Sequence, residues 1–162
     1  MTTRLTPTPS STDREIVISR LVNAPRPLVW KAWTTPGHIE QWWGPNGFTT
    51  TTYAISVKVG GVWSYTMHGP DGTDYPNRIT YRELVEPERI AYLHDSGIDN
   101  DPNAFEATIT FEAQGDRTLV TLRSVFATAE RRAFVVEKYG AIEGGKQHLA
   151  RLEAFILASY NR

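Results

Sequence analysis

A long β pattern followed by one helical stripe constrains this chain more than any other feature. From Phe48 to Phe126 the residues alternate or run β-branched, interrupted only by turn chemistry. Thr49 to Val59 is rich in Thr and Val, and Gly60-Gly61 turns the chain. Val62 to His68 puts Trp63, Tyr65 and Met67 on one face. Pro70-Asp71-Gly72 is a turn by composition. Arg78 to Val85 and Arg89 to Leu93 read as two strands separated by Glu86-Pro87, and a polar loop spans Ser96 to Asn103. Phe105, Ala107, Ile109 and Phe111 alternate with polar residues, and Gly115-Asp116 leads into a last strand over Thr118 to Phe126. From Ala129 to Tyr160 the period changes. Ile142, Gly145, Leu149, Leu152 and Ile156 step by three and four, so they share one face of a helix. Gly140, Gly144 and Gly145 would each cost about 1 kcal/mol against alanine inside that helix. Either the helix begins near Ala141, or something approaches its backbone closely.

The first fifty residues supply the remaining elements. Glu15 to Val22 is short and β-branched, a strand. Asn23 is placed to cap a following helix, and Pro25 and Pro27 suit its first turn. Leu28, Val29, Ala32 and Trp33 form its apolar face, and Thr35-Pro36-Gly37 breaks it. His38 to Trp43 reads as a second short helix. One strand, two short helices, about six strands and a long helix predict an α+β architecture. The expected packing is a curved antiparallel sheet of about seven strands wrapped on a C-terminal helix from about Thr128 to Tyr160. The 162 residues fit a single domain over 13–162, behind a Ser-, Thr- and Pro-rich tail over 1–12 that is expected to be disordered.

Composition removes several function classes. Seventeen basic residues stand against eighteen acidic ones, a formal charge of -1, so nothing draws the chain to nucleic acid or an anionic membrane. No apolar run reaches the length of a membrane span. There is no cysteine for a disulfide, a thiolate metal site or a nucleophile. The histidines, His38, His68, His94 and His148, form no metal-ligand spacing. A calcium loop from Asp99 fails at Ala104 and Thr110. No nucleophile elbow, phosphate loop or dinucleotide fingerprint is present. No metal, cofactor or nucleotide is expected, and no catalytic residue is assigned. A cytoplasmic location is expected.

The positive signal is aromatic. All five tryptophans fall between Trp30 and Trp63, and four of them, with Trp33, Trp42 and Trp43, lie in fourteen residues. Large rigid side chains with one polar handle each suit the wall of an apolar hollow. An ordinary aromatic core is the competing reading.

Several words in the chain form a family pattern. They are Asn23-Ala24-Pro25 with Val29-Trp30 and Trp33-Thr34, Trp42-Trp43-Gly44-Pro45, and Val59-Gly60-Gly61-Val62-Trp63. Met67 to Gly72, Tyr81-Arg82-Glu83, Pro87-Glu88-Arg89-Ile90, Phe126 and Gly144 to Leu152 continue it. On these words the chain resembles the SRPBCC (START-like, birch-pollen-allergen-like) superfamily. Within it the chain is similar to the homologues of the activator of heat-shock-protein-90 ATPase, a polyketide cyclase-like family. The resemblance covers about Arg14 to Ser159 and implies a helix-grip fold with an internal apolar cavity. It does not name a ligand. Many relatives carry Gly-Trp where this chain has Gly144-Gly145, which implies different room at that point.

The resulting expectation is a small-molecule binding protein with a cavity of a few hundred Å³ between sheet and helix, the usual scale for such sites. Its expected walls are Trp63, Tyr65, Phe126, Gly145, His148 and Leu149, with Trp42 and Trp43 near one end. A small apolar or aromatic ligand is the expected partner. Two alternatives stay open: a cofactor-free cyclase, hydrolase or isomerase acting on a polyketide-like substrate, and a co-chaperone that activates an ATPase. A homodimer stays open as well.

Overall fold

A computed structural model describes residues 13–160. The tail expected over 1–12 lies outside the described residues. Seven strands form one antiparallel sheet in the order β1-β7-β6-β5-β4-β3-β2. They are β1 (Glu15–Val22), β2 (Thr49–Ile55), β3 (Val62–His68), β4 (Asp74–Val85), β5 (Arg89–Asp95), β6 (Phe105–Gln114) and β7 (Arg117–Val125). Helices α1 (Arg26–Thr34) and α2 (Ile39–Trp42) follow β1, and α3 (Ala129–Tyr139) and α4 (Ala141–Ser159) follow β7. The curved sheet and the long terminal helix make the helix-grip α+β architecture. Because β1 returns beside β7, the first and last strands are neighbours, with Ile18 opposite Leu122.

The core lies between the sheet and α4. Along β1, Ile16, Ile18 and Val22 are buried while Val17, Ser19 and Leu21 are exposed, the period of two that a one-sided strand requires. Leu149, Leu152 and Ile156 of α4 are fully buried, as the three-and-four spacing of the stripe demands. Burying a side chain of this size stabilises by about 1.5–3 kcal/mol.

Four local expectations are corrected. The C-terminal helical tract is two helices, because Gly140 takes φ 61° and ψ 44°, a left-handed conformation that ends α3. Asn23 does not cap α1. Pro25 occupies that position, and the Asn23 N–H donates instead to Glu153 Oε2 at 2.6 Å. β2 stops at Ile55 rather than Val59, since the chain folds back on itself there, with the Ser56 N–H on the Val62 carbonyl and the Lys58 N–H on the Ser56 carbonyl. β4 starts at Asp74 and β5 runs to Asp95, both beyond the expected limits, because ladder pairing continues through His68–Asp74 and Arg78–Asp95.

Candidate functional site

One face of α4 grips the loop that leaves α2. Residues 144, 147, 148 and 151 stand at i, i+3, i+4 and i+7, so they line up along one side of the helix. His148 Nδ1 accepts the Gly44 N–H at 3.0 Å, and Gln147 Oε1 accepts the Asn46 N–H at 3.0 Å. Arg151 Nη1 donates to the carbonyls of Trp43, Gly44 and Pro45 at 3.0, 2.9 and 2.7 Å, and its Nη2 donates to that of Phe48 at 3.2 Å. A Cβ on Gly144 would stand 3.4 Å from Pro45 Cγ, so a small residue there lets the loop seat. Burial pulls the Arg151 guanidinium below its usual range.

This grip fixes the tryptophans. The His148 ring lies 5.8, 5.0 and 4.5 Å from the rings of Trp33, Trp42 and Trp43. Trp43 meets Trp63 edge to face at 4.9 Å, and Trp63 stacks on Tyr65 at 4.0 Å. Three of these indoles use their N–H: Trp42 on the Ala32 carbonyl, Trp43 on the Tyr65 hydroxyl and Trp63 on Thr52 Oγ1. His148 is buried. Burial first, then the charge of Arg151 and the nearby His94, lower its pKa to about 3. It is therefore a neutral acceptor built into the core.

From Tyr65 a polar line runs toward the other end of the sheet. The Tyr65 hydroxyl accepts the Trp43 Nε1–H at 3.0 Å and lies 3.4 Å from His94 Nε2. His94 Nε2 is 2.7 Å from Asn77 Oδ1. The Asn77 amide nitrogen donates to the Tyr75 carbonyl at 2.8 Å, which makes Oδ1 the atom facing His94. His94 Nε2 must then carry the proton, and Nδ1 holds a lone pair. No hydrogen bond to Nδ1 forms among the described residues. The His94 ring packs 4.6 Å from Phe105, which lies 5.0 Å from Phe126. Burial lowers the His94 pKa to about 4, against a smaller opposing pull from Asp95. The Tyr81 hydroxyl is buried without a partner among the described residues, and burial drives its pKa well up. The end at α2 is densely packed. At the end toward α3, His94, Asn77, Phe105, Tyr75 and Met67 keep part of their surface.

The structure thus brings Trp42, Trp43, Trp63, Tyr65 and His148 into one cluster, with Leu149 fully buried beside His148 on α4. Phe126 is buried beside Phe105, at the end of the polar line. Gly145 faces β1: a Cβ there would sit 3.0 Å from Ile18 Cγ1. A separate groove of about 270 Å³ lies between β1 and α4, lined by Val17, Ile18, Ser19, Arg20, Lys146 and Leu149. Leu149 is the one expected wall residue that borders it. His68 lies apart, between Thr51 Oγ1 and Asp74 Oδ1, both at 2.7 Å. Sequence reasoning passed over His94 and Asn77. Each falls just outside the strand limits drawn from the sequence, His94 after Leu93 and Asn77 before Arg78. Continuing the Ile90, Tyr92 alternation by one step would have reached His94.

A family model described as Activator of Hsp90 ATPase homolog 1-like protein matches residues 23–156. No curated protein matches the chain. Among solved structures, a protein from Arthrobacter aurescens is 24% identical over 91% of this chain and 88% of that one, with a TM-score of 0.82. Ms6760 from Mycobacterium smegmatis is 24% identical over 93% and 95%, with a TM-score of 0.82. CalU16 from Micromonospora echinospora is 20% identical over 91% and 77%, with a TM-score of 0.62. At these identities the likenesses establish a shared fold.

Proposed function

Because the chain belongs to the Activator of Hsp90 ATPase homolog 1-like protein family, we propose that it is a binding protein for a small apolar or aromatic ligand. The ligand lies between the sheet and the C-terminal helices, against Tyr65, His94, Phe105 and Phe126. The packed cluster of Trp42, Trp43, Trp63, His148 and Leu149 closes its inner end, and Gly145 stays outside it, against Ile18.

The observation that carries this reading is the polar line Asn77–His94–Tyr65–Trp43 set in an aromatic wall. Few, fixed polar groups in an apolar lining orient a ligand. A core built only for stability gains little from a histidine and an asparagine held there, because each must be desolvated. The site favours binding over acid–base turnover. A general base works best near the operating pH, and His94, at about 4, is far below neutrality. The co-chaperone reading has less support. Large exposed apolar residues fall on separate elements, Val17 and Leu21 on β1, Tyr53 on β2, Phe134 and Tyr139 on α3, whereas a partner surface is contiguous. No helix among the described residues is long and apolar enough to cross a membrane, and a cytoplasmic location remains part of the proposal.

N-phenyl-1-naphthylamine, an uncharged fluorescent probe, tests the reading. Saturable binding at one site per folded chain is expected, with fluorescence rising on transfer from water. Fluorescence that rises without saturation, or not at all, overturns it.

A further inference from the structure

We infer that the outer face of the sheet carries a hydrolytic site, independent of the ligand site proposed above. Thr51 is its nucleophile, His68 its general base, and Asp74 the residue that positions the base. Its substrates are small activated esters.

Strand pairing brings the three side chains together. Trp63 and Tyr65 of β3 are buried in the core, so by the alternation of the strand Thr66 and His68 point to the opposite face. Asp74 of β4 stands directly across from His68, and Thr51 of β2 lies one diagonal step away, opposite Thr66. His68 Nδ1 is 2.7 Å from Asp74 Oδ1, and its Nε2 is 2.7 Å from Thr51 Oγ1. An ionised carboxylate only accepts, so Nδ1 carries the proton of the neutral ring. Nε2 then holds the lone pair, and the Thr51 hydroxyl donates to it. A hydroxyl on an imidazole that a carboxylate orients is the arrangement that activates an oxygen for acyl transfer. Thr51 and Asp74 are exposed and His68 is partly so, which leaves the hydroxyl open to a substrate.

The backbone supplies a donor for the oxyanion. β2 is an edge strand among the described residues. The Gly69 N–H donates to the Thr73 carbonyl and sets the phase of the β3–β4 ladder. Odd residues of β3 bond to β4, and even ones, Thr66 and His68 among them, bond to β2. Thr51, opposite Thr66, spends its backbone groups on β3. The N–H of Thr52 therefore points off the free edge, on the side away from His68. There it meets the oxygen of a tetrahedral intermediate. Tyr53 stands on the same face, with its hydroxyl 3.0 Å from Thr66 Oγ1. Its exposed ring offers a surface to the aryl group of an ester.

The steps balance without a cofactor. Thr51 Oγ1 bonds to the carbonyl carbon as its proton passes to His68 Nε2. The bond to the leaving oxygen breaks, and that oxygen takes the proton. Water then attacks the acyl-threonine and gives a proton to Nε2. The carbon–Oγ1 bond breaks, Thr51 regains its proton and the carboxylic acid leaves.

Hydrolysis of 4-nitrophenyl acetate by the full chain, followed as release of 4-nitrophenolate, tests the inference. Thr51→Val and His68→Ala are each expected to lower the protein-dependent rate about tenfold or more. Thr51→Ser, which keeps the hydroxyl, retains activity. Asp74→Asn lowers the rate, and Asp74→Glu restores part of it. A folded Thr51→Val as fast as the unaltered protein overturns the inference, because the imidazole or an amine would then react directly. Absence of a protein-dependent rate also overturns it. A second readout needs no variant. Diisopropyl fluorophosphate is expected to leave its phosphoryl group on Thr51, located by peptide mass spectrometry. Adducts confined to tyrosine or lysine, or none, overturn the assignment.

Discussion

Two buried neutral histidines should make the protein lose stability on mild acidification. His94 and His148 titrate near 4 and 3 in the folded protein, against about 6.5 when unfolded. At pH 7.5 both states are neutral and neither histidine affects the balance. As pH falls below 6.5 the unfolded chain takes up protons that the folded chain refuses. The unfolded state then binds more protons, so stability falls with falling pH. The loss begins near 6.5 and is complete only below the folded values of about 4 and 3. At pH 5 each histidine costs about 2 kcal/mol relative to pH 7.5, about 4 kcal/mol together. That is a large share of a typical total of 5–15 kcal/mol. Urea unfolding followed by tryptophan fluorescence at pH 7.5, 6.0 and 5.0 measures it, in a window above most carboxylate titration. His148→Asn separates the contributions. The Asn oxygen can still accept the Gly44 N–H, so the fold persists at lower overall stability, and the pH-dependent loss should fall by about half. A flat stability profile between pH 7.5 and 5.0, or an unchanged slope in the variant, would refute the reasoning.

Gly145→Trp should overpack the contact with Ile18, where a Cβ already sits at 3.0 Å, and cost about 1–3 kcal/mol or more; a melting temperature equal to that of the unaltered protein would mean that β1 yields freely. Arg151→Lys replaces a planar fork that reaches four carbonyls with a point donor, and should cost about 1–3 kcal/mol in chemical denaturation. Gly140→Ala forces a side chain into the left-handed conformation between α3 and α4 and should destabilise by about 1 kcal/mol, read from the same denaturation curves.

The architecture was legible because its signals are periodic. The alternation over Phe105 to Phe111 and the stripe from Ile142 to Ile156 each report which side is buried, and the structure places both as the period requires. The glycines of the C-terminal tract were legible only as a choice, and both outcomes occur. Gly140 ends one helix, while Gly144 and Gly145 admit Pro45 and Ile18. The polar line was not legible. His94 is a single residue near the end of β5 and Asn77 follows Pro76 inside β4, and they meet only because β4 and β5 pair through Ile79–His94. The role of His148 was hidden for a related reason. Its partner Gly44 is 104 positions away, and nothing local to α4 indicates which loop will cover that turn.

The central claim concerns where a ligand sits. NMR of uniformly labelled protein, read at side chains and backbone amides and titrated with N-phenyl-1-naphthylamine, tests it most directly. The account predicts saturable shifts concentrated at Tyr65, His94, Phe105 and Phe126, with the ring of His148 moved little. Saturable shifts confined to the groove between β1 and α4, at Val17 to Arg20 and Lys146, would contradict it.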